Sequence, residues 1–482
     1  MTDPGQTQAR ETAFRYRIGF GTWINDLRPE PLPLDQWPSG RFDDLTVDGL
    51  LATLDVMAGA GYQYLDVFGL WATSEYPRDV LSAFADPERN RRVEQVLAGA
   101  RDRDIRLVLP LGVFTWGYDR IIREDPEVRG QDDQGRPHPH AMCGARERAW
   151  SYLERLVDAF FDRHEFGAVH LESADLGYCA CPECAGRDGS VAYNARLNQR
   201  AAEYIKSRHP ECLVYVCPIN WRPWALGEDG LQRPFTPAEV TSVVALSRRI
   251  DLFVDQGHRG RFLRWEDLPA LQCAYATSGG LWAYHGCRMD RLSYLLPYPI
   301  RAARHLIEHH AHGARGALIY QGPMVNPAVE INSVVAGLTM QDVGRDPLDI
   351  LREVIETRYR PRVPSAGEEL ARILVALEEA YFGGWEARRF RDEQGMEMPG
   401  EFCLGPLFGT SPDPAAFLLE PYLTADGRRN LRQGLLAALR DLSGLDGQFQ
   451  DQGRLARMQR AVQVMCQLLA TAMAARGERG EY

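Results

Sequence analysis

Eight short apolar runs separated by amphipathic stretches constrain this chain more than any other feature. They are Arg17–Trp23, Tyr62–Phe68, Ile105–Val113, Ala168–Ser173, Leu213–Ile219, Leu252–Gln256, Leu281–His285 and Ala317–Gln321. The stretches Val47–Ala60, Val93–Arg103, Arg146–Arg163, Tyr193–Ser207, Ala238–Arg249, Ala302–Ala311 and Leu348–Arg358 carry apolar residues three and four apart, the spacing of a helix that covers one face of a sheet. Near-continuous apolar strands joined by helices mark a parallel sheet buried on both sides. Eight such units fit a closed (β/α)8 TIM barrel with loop insertions. A doubly wound open sheet is the other arrangement, but no G-x-G-x-x-G turn follows the first run. Arg259–Gly280, where a sixth helix belongs, has no helical period.

Beyond about residue 360 the alternation stops. Leu370–Tyr381, Arg428–Leu442 and Leu455–Ala475 read as helices, broken by the Gly/Pro-rich stretch Met398–Pro414. The chain of 482 residues therefore divides into a barrel over 1–360 and a C-terminal helical domain over 361–482. Its formal charge of −11 argues against a nucleic-acid or anionic-membrane partner, which would favour a basic face. The first residues, MTDPGQTQARETAFRYR, lack the apolar core of a secretory signal, and no run approaches the ~20 apolar residues of a membrane span. A cytoplasmic protein is the expectation, and self-association into a homo-oligomer is left open.

Chemistry in a barrel of this kind collects at the C-terminal ends of the strands. Here those ends combine aromatic rings with carboxylates and amides: Trp23, Asp66, Trp71, Trp116, Glu172, Asp175, Trp221, Asp255, Trp282, His285, Asp290 and Gln321. A sugar presents apolar C–H faces and a rim of hydroxyls, so aromatic platforms beside Asp, Gln and His predict a carbohydrate substrate. Hydrolysis of a glycosidic bond needs two carboxylates. Glu172 continues the fourth run and is expected to be the acid/base. Asp175 could be the acid, a ligand for a sugar hydroxyl, or a turn cap. Asp255 and Asp290 are rivals for the second carboxylate. Trp23, Asp66, Trp71, Trp116, Trp221, Trp282, His285 and Gln321 are the expected sugar contacts.

The sharpest motif is Cys179-Ala-Cys181-Pro-Glu-Cys184, directly after the fourth run. Three thiolates at this spacing can converge on one tetrahedral metal, and a fourth ligand completes the shell. Cys143 is the candidate, because it precedes the helix that leads back to the fourth strand. Four cysteines leave no open position, so the ion expected here is a structural zinc. The other readings are unliganded thiols in a tight loop, or a redox dithiol, although nothing nearby looks like a thioredoxin unit.

The segment His140-Ala-Met-Cys143, Val169-His-Leu-Glu172 and Cys179-x-Cys181-x-x-Cys184 resembles the family 42 β-galactosidases. The resemblance implies an acid/base Glu after strand four and a zinc completed by the upstream cysteine, although Leu171 stands where those enzymes carry Asn. Asp175-Leu-Gly-Tyr-Cys-Ala-Cys-Pro-Glu-Cys184, Tyr294-Leu-Leu-Pro-Tyr-Pro299 and Gly313-Ala-Arg-Gly-Ala-Leu318 resemble a largely uncharacterised bacterial domain family, over roughly residues 165 to 360. That family is grouped with the family 20 hexosaminidases and family 67 α-glucuronidases. The resemblance implies a glycosidase-type barrel and no particular substrate; the leading expectation is an exo-acting glycoside hydrolase for a small oligosaccharide or glycoconjugate. A non-catalytic sugar-binding barrel is one alternative. A lyase or isomerase acting on a sugar acid is another, but no His/Asp/Glu metal triad supports it.

Overall fold

The structure, a computed structural model, describes residues 12–21, 23–30, 41–71, 84–221, 234–255, 261–279, 295–382, 389–391, 397–399, 425–475 and 477–478. Eight parallel strands close into a barrel: β1 (Tyr16–Gly21), β2 (Tyr64–Val67), β3 (Arg106–Gly112), β4 (Ala168–Glu172), β5 (Leu213–Val216), β6 (Leu252–Asp255), β7 (Ala274–Gly279) and β8 (Gly316–Tyr320). Closure is made by β1 against β8, with Tyr16 opposite Gly316 and Phe20 opposite Tyr320.

Strand parity decides which side chains meet inside. Ile18, Phe20, Val108, Ala168, Leu213, Tyr215, Leu252, Val254, Ala276, Leu318 and Tyr320 form the interior cluster. Residues one step out of phase, such as Leu65, Leu109, Val169, Val214 and Phe253, belong to the larger cluster under the helices. The helices start where the backbone chemistry favours a start. Pro87, Pro237, Pro299, Pro327 and Pro347 each open a helix, a position where the missing N–H costs nothing. Asp86, Thr236, Asn326 and Asp346 cap four of these with a side-chain oxygen.

Three elements depart from the sequence expectation. The seventh strand is Ala274–Gly279 rather than Leu281–His285, which lies outside the described residues. Its sequence, AYATSG, is built of small residues because its neighbours come close: a Cβ on Gly279 would lie 2.6 Å from Ile319 Cδ1. Such a strand has no apolar run to read. The β6–β7 connection carries a 3₁₀ segment, Trp265–Ala270, in place of an α-helix. The helix after β8 is Pro327–Gln341, which shows no amphipathic period because nearly all of it is buried.

Helices Pro347–Tyr359, Pro364–Phe382, Ala425–Ser443 and Gln452–Ala475 follow the barrel. A short hairpin, Arg389–Arg391 against Glu397–Pro399, interrupts this otherwise helical region, which was expected to contain no strands. Arg454 anchors the last helix by gripping the buried Glu330 with two hydrogen bonds of 2.9 and 3.0 Å. Glu378 accepts from the amides of Ile300 and Arg301 and caps the helix that precedes β8. Among the described residues no helix is long and apolar enough to cross a membrane.

At the mouth end of β3 the chain folds back on itself over Gly112. A Cβ there would stand 2.2 Å from the Thr115 carbonyl oxygen and 2.7 Å from Trp116 Cβ. Gly112→Ala is expected to cost about 2–3 kcal/mol in a denaturant melt. An unchanged midpoint would show that the loop accommodates the methyl group.

Candidate active site at the barrel mouth

A polar chain rises through the otherwise apolar interior. Asp66 on β2 is fully buried, and its Oδ2 accepts from Tyr215 Oη at 2.5 Å. His170 Nδ1 lies 2.8 Å from the same oxygen, with its ring stacked on Tyr215. The far nitrogen, His170 Nε2, stands 3.4 Å from Glu172 Oε2. Burial works against a charge on His170, but the Cys217 sulfur and the Asp66 carboxylate outweigh it and hold the imidazole well above its ordinary pKa. Burial also raises the Cys217 thiol. An imidazolium thus sits between two carboxylates.

Glu172 ends β4 facing inward, two residues from His170. Asp175, three residues on, would face the other way in a continued strand. Ala174 takes φ 70°, a left-handed conformation that costs a non-glycine residue about 1–3 kcal/mol. The resulting turn brings Asp175 back beside Glu172. Asn220, just beyond β5, donates to both: Nδ2 lies 3.2 Å from Glu172 Oε1 and 2.8 Å from Asp175 Oδ1. Asp175 is open to solvent on the mouth side and enclosed by protein elsewhere. Its carboxyl is pushed up to about 7, first by lost solvation and then by the Glu172 charge, against hydrogen bonds from Trp116 and Asn220.

Trp116 is presented by a tight loop with Phe114 at φ 66° and Trp116 at φ 54°. Its ring centroid is 5.9 Å from Phe68, which in turn packs on His170. Trp23 lies 6.5 Å from Trp116 and closes over Gly69, where a Cβ would meet the indole at 2.7 Å. The mouth therefore brings together Trp23, Asp66, Trp116, Glu172 and Asp175.

Other expected site residues take different places. Trp71 is buried against Phe160, His164 and Phe166 in the helical layer. Gln321 follows Tyr320 out of phase, donates to the Ile319 carbonyl at 3.1 Å, and lies against Gly19 on the outside of the barrel. Asp255 is likewise out of phase with Leu252 and Val254. Its two oxygens accept from the amides of Phe262 (2.8 Å) and Leu263 (3.0 Å), so it pins the loop after β6 and does not face Glu172. Trp221 is fully enclosed. Trp282, His285 and Asp290 lie outside the described residues. His170, Tyr215 and Asn220 were not among the expected site residues. Polar residues at inward positions of apolar strands were the available signal for the first two.

Beside the mouth, a hairpin of Arg129–Gln131 and Pro137–Met142 leads to Cys143. Its Gln131 N–H donates to Cys179 Sγ at 3.4 Å, and its Gln131 carbonyl accepts from Ala180. The sulfurs of Cys143, Cys179, Cys181 and Cys184 all lie within 4.8 Å of one another. Cys143 Sγ is 3.9 Å from Cys181 Sγ and 3.8 Å from Cys184 Sγ. A tetrahedral ion with Zn–S bonds of about 2.3 Å sets its sulfurs about 3.8 Å apart. The four thiols thus fit a metal such as zinc, which would staple the hairpin to the loop that follows Asp175.

No protein-family model and no curated relative matches the chain. Similarity appears among solved structures. An O-GlcNAc hydrolase from Thermobaculum terrenum, solved as a point mutant, aligns over 96% of this chain and 84% of its own at 12% identity, with a TM-score of 0.48. A chitobiase from Flavobacterium johnsoniae aligns over 97% and 72% at 12% identity, with a TM-score of 0.40. A GH138 enzyme targeting pectin rhamnogalacturonan II gives a TM-score of 0.55 at 10% identity, over 95% of this chain and 57% of that enzyme. The chain shares the barrel fold of the GH138 enzyme. At these identities the likeness is one of fold, and the family groupings suggested by the motifs remain resemblances.

Proposed function

We propose that this protein is a glycoside hydrolase in which Asp175 is the proton donor and Glu172 its ionised partner. The observation that carries the reading is a pair of carboxyl groups tied through one amide, Asn220 Nδ2 lying 3.2 Å from Glu172 Oε1 and 2.8 Å from Asp175 Oδ1, with the Asp175 carboxyl raised by lost solvation and by the Glu172 charge. A carboxyl group raised beside a second carboxyl is the usual basis of an acid role. A donor needs a proton near neutral pH and access to the bond it cleaves, and Asp175 has both. Glu172 lies deeper, with its Oε2 3.4 Å from His170 Nε2.

A sugar ring resting on Trp116 and Phe68 would place its anomeric carbon above Glu172. As the C–O bond breaks, Asp175 gives its proton to the departing oxygen, and the Glu172 carboxylate offsets the positive charge that develops on the ring. Water completes the hydrolysis and returns a proton to Asp175. In the same reading the four cysteines hold a structural zinc, which supplies rigidity and no reacting group. The substrate is a small oligosaccharide or glycoconjugate.

The test is a panel of 4-nitrophenyl glycosides across pH. Because the donor must be protonated, turnover should be full below pH 7 on its basic limb and fall as pH rises through about 7. Asp175→Asn should abolish that limb. If no glycoside is cleaved, or the limb persists in the variant, the assignment fails.

A further inference from the structure

Two histidines on the hairpin beside the mouth have no role in the chemistry above. His138 and His140 share one face of the strand Pro137–Met142, and both are half-buried. His138 Nδ1 accepts the His140 backbone N–H at 3.1 Å, which places the ring proton of the neutral imidazole on Nε2. His140 Nδ1 lies 2.9 Å from the buried carboxylate of Asp119, which places its proton on Nδ1 and leaves Nε2 an acceptor in the neutral ring. Burial, and then the neighbouring His140, lower the His138 pKa and keep that ring neutral. Among the described residues neither Nε2 has a hydrogen-bond partner. The pair presents two ring nitrogens, with ring centroids 6.4 Å apart.

The position of the pair relative to the proposed acid defines its use. The Asp66–His170–Glu172 chain lies over the barrel interior, so the ring that is cleaved off sits there. Asp175 lies further out, three residues along the loop. Two residues beyond it, Gly177 has φ 103°, and a Cβ on it would meet His138 Nε2 at 2.4 Å. His138 therefore packs on the loop that carries Asp175, two residues beyond the proposed acid. Asp119 and Trp116 come from the same loop, so the histidine that Asp119 orients and the indole that touches Asp175 are held together. The cysteine cluster fixes the other edge of the hairpin.

We propose that His138 and His140 form a leaving-group subsite for a neutral polyhydroxylated aglycone, a sugar or polyol carrying neighbouring hydroxyls. Two ring nitrogens fixed in place match a pair of hydroxyls, each of which can give or receive a hydrogen bond. An apolar aryl aglycone satisfies neither nitrogen. This inference rests on the glycosidase reading and on Asp175 as the donor.

The experiment compares two substrates with the same glycone, chosen as the best cleaved in the 4-nitrophenyl panel. One is the 4-nitrophenyl glycoside and the other the glyceryl glycoside. His138→Ala should lower kcat/KM about tenfold on the glyceryl glycoside, mainly through KM, and no more than about twofold on the aryl glycoside. His138→Gln, which keeps an N–H donor, should recover much of the loss, and an unchanged melting temperature would show that each variant is folded. Equal losses on both substrates, or no selective loss, would overturn the subsite and leave the glycosidase reading standing. Failure of the wild type to cleave any glycoside would overturn both.

Discussion

Asp175→Asn should lower turnover of glycosides with sugar leaving groups by about three orders of magnitude, the largest effect expected of any single substitution in this protein. The missing proton matters most when the departing oxygen is a poor leaving group. With a dinitrophenyl leaving group the same variant should lose far less, because that oxygen departs without protonation. Glu172→Gln should behave differently, with a large loss on both substrate types, since charge stabilisation is needed whatever departs. Matched kinetics on the two substrates separate the roles. If Glu172→Gln shows the leaving-group dependence and Asp175→Asn does not, the two carboxylates have exchanged functions and Glu172 is the donor.

Loss of metal is the second large effect. The four sulfurs lie within 4.8 Å of one another, two of the distances being 3.8 and 3.9 Å, so an ion among them would hold the loop after Asp175 to the hairpin. Purified protein should contain close to one equivalent of zinc. Stripping it with a strong chelator, or Cys181→Ser, should cost several kcal/mol of stability. Catalysis should fall in parallel, because the acid loop and the hairpin lose their common anchor. Protein that contains no metal, and whose melting temperature is unaffected by Cys181→Ser, would mean four reduced thiols without a structural ion.

Much of this was legible in the residues, and strand parity explains most of what was not. The Cys179–Cys184 spacing and its partner Cys143 could be read directly, because metal geometry fixes ligand type and count. Seven of the eight runs fall on barrel strands, since buried parallel strands are apolar on both faces. β7 escaped notice because close packing there selects Ala, Thr, Ser and Gly. Helix Pro327–Gln341 escaped because burial on all sides erases the period. At the site, position near a strand end was a poorer guide than phase. Glu172 shares the inward phase of Ala168 and His170. Asp255 and Gln321 are one residue out of phase with inward neighbours, and the structure turns both toward the outside of the barrel. Asp175 is the instructive exception. Its phase is wrong for the mouth, and only the left-handed turn at Ala174, which no sequence signal marks, restores it.

Direct titration of the Asp175 carboxyl, by isotope-edited infrared difference spectroscopy in wild type and Glu172→Gln, reaches the central claim without any substrate. In the wild type the band is expected to titrate near 7, far above the usual carboxylate range. In Glu172→Gln it should move down, because the neighbouring charge that raises it is gone. An Asp175 that titrates near 4 in the wild type, with no response to Glu172→Gln, would contradict its role as the proton donor.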